Sequence, residues 1–155
     1  MSDEWVEVTK DINATPEGVW SVVTDLDSAP EVMRNIVAVE RLEGDGFSVG
    51  TRWKETRRMF GRDEAETMWV SDIDEPRSYT VQSRAGGALY TTVFRLTPTE
   101  MGTELVVTFG AETEDPGMGQ RVMMALFGKA AMKATRKALV EDLDDIAVAA
   151  EKVGS

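Results

Sequence analysis

The sequence predicts an α+β fold: one antiparallel sheet of seven strands, two short helices after the first strand, and a long helix at the C-terminal end. Three observations predict it. Period-two alternation of apolar and polar residues fills the stretch around residues 5–12 and most of 36–113. Residues 115–152 carry apolar side chains at helical spacing instead. Turn signals separate the alternating segments at intervals that suit a meander, which buries one face and leaves it for the helix to cover.

In the first strand, Trp5 to Ile12, Val6, Val8 and Ile12 share a face opposite Glu7, Thr9 and Asp11. Thr15 and Pro16 then form a helix start, N-cap followed by a proline at the first helical position. Val19, Trp20, Val22, Val23 and Leu26 give that helix its buried side, Ser28-Ala29-Pro30 breaks it, and a second short helix runs to about Arg34. Strands follow over Ile36–Leu42, Val49–Met59, Arg62–Ile73, Arg77–Arg84, Ala88–Thr97 and Thr103–Thr113. Turns rich in Gly, Asp, Glu and Pro separate them. Asp115-Pro116-Gly117 starts the last helix. Its stripe is Val122, Ala125, Met132, Leu139, Leu143, Ile146 and Ala150, with Arg121, Lys133, Lys137, Glu141, Asp144, Asp145 and Glu151 opposite. A straight helix of that extent would exceed about 50 Å. An interruption is therefore expected near Gly117–Gly119 or at Gly128, where helix propensity is weakest. Asp142, Asp144 and Asp145 crowd its C-terminal part, an unfavourable placement for the helix dipole.

Several short patterns run through this order: Ile12-x-Ala14-x-Pro16-x-x-Val19-Trp20, Asp25, Gly50-Thr51-x-Trp53, Asp74-x-Pro76-x-x-Tyr79 and Gly102-Thr103-x-Leu105-x-Val107. Together with the terminal helix they resemble the START and Bet v 1-like (SRPBCC) superfamily, most closely its polyketide cyclase/dehydrase and lipid-transport branch. The resemblance spans nearly the whole chain. It implies the helix-grip fold, a curved sheet gripping the C-terminal helix with an apolar cavity between them. It implies no fixed catalytic set.

Length and composition agree. The 155 residues fit one domain, 1–155, and 42% hydrophobic residues argue for a packed core. The formal charge of −11 disfavours nucleic acid and a stable seat on an anionic membrane. The absence of cysteine and histidine excludes disulfides, thiolate nucleophiles, histidine triads and zinc sites with nitrogen or sulfur ligands. No cofactor or metal is expected. The N-terminal residues lack a signal-peptide pattern, and no apolar run nears the ~20 residues of a membrane span. Cytoplasm is the expected compartment. Nothing in the composition sets an oligomeric state.

Alternation also gives the inner face of the sheet. Thr51, Trp53, Glu55 and Arg57 share one parity, and Arg52, Lys54, Thr56 and Arg58 form the wetter one. With a two-residue turn at Phe60-Gly61, Trp53 faces Met68, Glu55 faces Glu66 and Arg57 faces Glu64. A slip of two residues would pair Arg57 with Glu66 instead. Opposed carboxylates raise one pKa unless Arg57 neutralises them, so Glu55, Glu66 and Arg57 are the acid–base candidates. The plainer reading is a solvated charge ladder near a hairpin tip. Tyr79, Tyr90, Thr92, Phe94 and Phe109 continue the inner face. Tyr90 and Thr92 suit anchoring of a polar atom, and Trp53 and Phe94 suit stacking on a ring, although each also suits plain core packing. Met123 and Phe127 lie on the wide apolar start of the last helix, where thioethers make either core filling or an adaptable wall.

Three functions follow as expectations. The first is a binder of one small hydrophobic or amphipathic molecule, such as a lipid or polyketide. The second is a cyclase or dehydratase steering protons with Glu55, Glu66, Arg57 or Tyr90. The third is a protein-interaction module with a closed core. The thin reactive inventory favours the first.

Overall fold

The computed structural model of the protein describes residues 6–59, 61–85, 87–113 and 129–153. The chain runs β1 (Val6–Ile12), α1 (Pro16–Val23), a 3-10 turn (Leu26–Ser28), α2 (Ala29–Val32), β2 (Ile36–Glu43) and β3 (Arg52–Met59). It continues through β4 (Arg62–Asp74), β5 (Ser78–Ala85), β6 (Ala88–Pro98), β7 (Thr103–Thr113) and α3 (Lys129–Val153). The strands form one seven-stranded sheet in the order β1-β7-β6-β5-β4-β3-β2, with every neighbouring pair antiparallel. β1 and β2 are consecutive in sequence yet lie at opposite edges, so α1 and α2 occupy the connection between them. This is the helix-grip architecture: a curved antiparallel sheet with its concave side turned to a long C-terminal helix.

Local chemistry explains the elements. Thr15 caps α1 by accepting a hydrogen bond from the Gly18 N–H at 3.1 Å, and Pro16 stands in the first turn. Val19, Trp20 and Val23 form the buried side of α1. In α3 the stripe is buried as its spacing dictates, with Leu143, Ile146 and Ala150 enclosed and Leu139 half-buried against the core. α3 packs chiefly on β1 and α1. Farther across the sheet its wall stands off, and there the cavity lies.

One strand limit differs from the sequence expectation in an informative way. β3 begins at Arg52 and not at Val49, because Gly50 turns the chain with φ of +93° and leaves Val49 exposed. A tight turn replaces the expected extension, with Thr51 N–H donating to the Ser48 carbonyl and Ser48 N–H donating to Thr51 Oγ1, both at 3.0 Å. At the β6–β7 turn, Gly102 has φ of +150°, and a Cβ there would meet the backbone of Ile12 and Ala14. Next to it, buried Thr103 donates its hydroxyl to the Ala14 carbonyl at 2.7 Å. The Gly-Thr pair thus lets β7 and the start of α1 touch backbone to backbone. The helix start at Asp115 and the interruption expected near Gly117–Gly119 or Gly128 lie outside the described residues.

Candidate functional site

A cavity of about 290 Å³ lies between the sheet and α3. Its apolar part has an aromatic wall. Tyr79 stacks on Phe94 with ring centroids 4.5 Å apart and planes 8° from parallel, and Phe47 and Trp20 meet Tyr79 edge-on at 4.9 and 5.5 Å. The Tyr79 hydroxyl is spent inside the protein, donating to the Val23 carbonyl at 3.4 Å. Burial, reinforced by the charge of Glu55, pushes its pKa well above the ordinary tyrosine value. Tyr79 is therefore a wall group held neutral.

The β3–β4 register is the one the turn length dictates: Trp53 pairs with Met68, Glu55 with Glu66 and Arg57 with Glu64. The two-residue slip does not occur. Trp53 and Glu55 are buried, whereas Arg52, Lys54 and Arg58 of the opposite parity are exposed. The pattern is graded along β4. Glu64 and Ala65 line the cavity yet remain exposed, and Glu66 is half-buried, so the cavity opens at this end.

At the opening stands a connected network. Glu55 accepts hydrogen bonds from Trp53 Nε1 at 3.2 Å and from Arg57 Nε at 2.8 Å. Arg57 extends across to α3, where Nη1 and Nη2 donate to the two oxygens of buried Asp142 at 3.3 and 2.9 Å. Burial alone would weaken the Arg57 proton affinity. The charges of Asp142 and Glu55 outweigh it, so its pKa rises and the guanidinium stays charged. Burial raises the Asp142 pKa, and Arg57 opposes that rise only in part. Glu66 also has a raised pKa, from burial first and the charge of Glu55 second, with Arg57 counteracting. Among the described residues the Glu66 carboxyl makes no hydrogen bond and joins no ion pair.

The structure thus brings together Trp53, Glu55, Arg57, Glu66, Met68, Tyr79, Thr92, Phe94 and Phe109 on the cavity wall. Tyr90 is not on that wall. It lies farther along β6, half-buried and stacked on Phe109 at 5.8 Å, with a pKa raised by burial and by Glu66. Met123 and Phe127 lie outside the described residues. Sequence reading passed over Phe47 and Asp142. Phe47 stands in a polar loop, where one aromatic among Gly, Asp and Ser was its signal. Asp142 sits in Leu139-x-x-Asp142-Leu143-x-x-Ile146, a spacing that puts it on the apolar stripe. Among the described residues no group of three or more His, Cys, Asp or Glu is placed to hold a metal ion, and no helix is long and apolar enough to cross a membrane.

A family model described as polyketide cyclase / dehydrase and lipid transport matches residues 5–150. Among solved structures, a protein of Thermus thermophilus superposes with a TM-score of 0.78 at 20% identity, covering 97% of this chain and 99% of its own. The ZhuI aromatase/cyclase from Streptomyces sp. R1128 gives 0.76 at 20% identity, covering 96% and 94%. A START superfamily protein from Mycobacterium smegmatis gives 0.65 at 20% identity, covering 97% and 96%. At these identities the likeness establishes the fold. Among curated proteins there is no significant match.

Proposed function

The chain belongs to the polyketide cyclase / dehydrase and lipid transport family, and on that premise we propose that it holds one small hydrophobic or amphipathic molecule between the sheet and α3. The observation that carries this reading is the cavity itself, apolar and aromatic along its depth and charged at its opening. Its volume lies at the lower edge of the ~300–1,000 Å³ usual for small-molecule sites, which favours one compact guest. On this reading residues 1–155 act as one ligand-binding domain. Trp53, Met68, Thr92, Phe94 and Phe109 contact the guest, and Tyr79 backs the wall.

The experiment is mass spectrometry of the purified protein under native and then denaturing conditions. A small molecule that travels with the folded protein and is released on denaturation is the expected result. A bare mass in both, together with failure of an apolar dye to bind, would refute the reading.

One observation favours a second reading, an enzyme of cyclase or dehydratase type. Glu66 faces the cavity with a raised pKa and no hydrogen-bond partner among the described residues, as a general acid would. Glu55 suits that role less, because both of its oxygens already accept hydrogen bonds. Glu66→Gln should then abolish turnover of a candidate substrate while Glu55→Gln acts mainly through stability; unchanged turnover in Glu66→Gln would dismiss the carboxyl mechanism.

A further inference from the structure

We propose that the guest of this cavity carries a protonated amine, bound by the Glu66 carboxyl at the opening while its apolar part lies along the aromatic wall. The inference rests on the cavity reading above and adds the chemistry of the guest. The cavity, and not the carboxylates alone, makes the site; the carboxylates set what it accepts.

The charged side chains on the described wall are Glu55, Glu64, Glu66, Asp142 and Arg57. Four carboxylates against one guanidinium leave a formal excess of three negative charges. That guanidinium is already engaged, Nε with Glu55 and both terminal nitrogens with Asp142. A guest ending in carboxylate or phosphate would therefore find no uncommitted cation on the described wall. Glu55 and Asp142 are engaged in turn, each accepting one hydrogen bond through each oxygen and paired with Arg57. Glu64 and Glu66 remain as acceptors with nothing to receive among the described residues; Glu64 is exposed to water, whereas Glu66 is half-buried beside the apolar wall. A hydroxyl would gain an ordinary hydrogen bond there. An ammonium gains a charge-assisted one in a partly dry site, and it relieves the repulsion between Glu66 and Glu55 across the β3–β4 pair. Burial first and the charge of Glu55 second raise the Glu66 pKa, and Arg57 offsets that only in part.

The test uses the full chain and the neutral dye N-phenyl-1-naphthylamine, displaced by decylamine, decanol or decanoate below their micellar concentrations. The expected result is that decylamine displaces the dye at a concentration at least about tenfold lower than decanoate, the scale of one hydrogen bond to a charged group. In Glu66→Gln that preference, read against the variant's own dye affinity, should shrink to about threefold or less, whereas Glu112→Gln, an exposed acid on β7, should leave it unchanged. Decanoate or decanol matching decylamine would overturn the amine inference and leave the cavity standing. A preference that survives Glu66→Gln would mean that the ammonium sits elsewhere, at exposed Glu64 or on the acidic surface, and would overturn it too. If the dye does not bind at all, both readings fall. The comparison among the three guests on the unaltered protein does not depend on any variant folding.

Discussion

Arg57 of the sheet and Asp142 of α3 meet across the cavity opening through two hydrogen bonds, 2.9 and 3.3 Å long. Asp142 is buried, and Arg57 also carries Glu55, so one guanidinium compensates two buried carboxylates. Removing it leaves both uncompensated. Arg57→Met should cost about 3 kcal/mol of unfolding free energy, and adding Asp142→Leu with Glu55→Gln should restore most of the loss. Urea denaturation at pH 7 reads both values. A single variant as stable as the parent would show that the network contributes nothing to the fold.

Glu66 should make the protein less stable as pH rises. Its folded pKa lies above its ordinary value because burial and Glu55 disfavour the charge more than Arg57 favours it. A raised carboxylate binds its proton more tightly in the folded state. Its contribution is therefore fully present below the unfolded pKa of about 4.3 and is lost as pH climbs through the folded one. Glu66→Gln should be more stable than the parent at pH 7, and the gap should close toward pH 4. Denaturation curves across that range test the sign.

Asp145 should behave in the opposite sense. Burial alone would raise its pKa, but hydrogen bonds from the Arg34 side chain and backbone N–H overcome that and hold it low. Its contribution is present above the unfolded pKa of about 3.9 and disappears as pH falls through the depressed value. Asp145→Asn should cost about 1 kcal/mol at neutral pH, with the difference vanishing in acid.

Filling the cavity should separate binding from stability. Ala138 of α3 lines it, and Ala138→Phe places a ring where the guest would lie. Dye affinity should fall more than about tenfold while the melting temperature holds or rises, since filling a void removes the penalty of an empty one. A loss of both together would mean that the wall has no room.

Gly102→Ala should be costly although the position is small and not fully buried. A Cβ there would press on the Ile12 carbonyl and the Ala14 backbone, and backbone cannot swing aside as a side-chain tip can. With φ of +150° added, about 2 kcal/mol or more is expected from thermal denaturation.

The sequence disclosed what periodicity controls. The β3–β4 register followed from a two-residue turn and from Trp53 and Met68 sharing a face, and it carried Glu55, Arg57 and Glu66 to their places. Depth along a strand is not periodic, which is why Tyr90 shares the parity of Thr92 and Phe94 yet lies off the cavity wall. Asp142 was obscured by its neighbours: three aspartates within four residues read as one wet face, although the helical spacing from Leu139 to Ile146 already included it. Their crowding in the second half of α3, unexplained by any dipole argument, has a tertiary cause. Asp142 reaches Arg57, Asp144 reaches Lys10 and Asp145 reaches Arg34.

Those three contacts go to three different parts of the chain: β3, β1 and the segment after α2. Turning the helix by one residue, about 100°, would break all of them together. They act as an index mark at the rim, which adds to the enclosed Leu143, Ile146 and Ala150 in setting its azimuth. Substitutions such as those at Thr92 or Ala138 can then retune which guest is welcome without unseating the lid, so frame and upholstery are free to evolve on separate schedules.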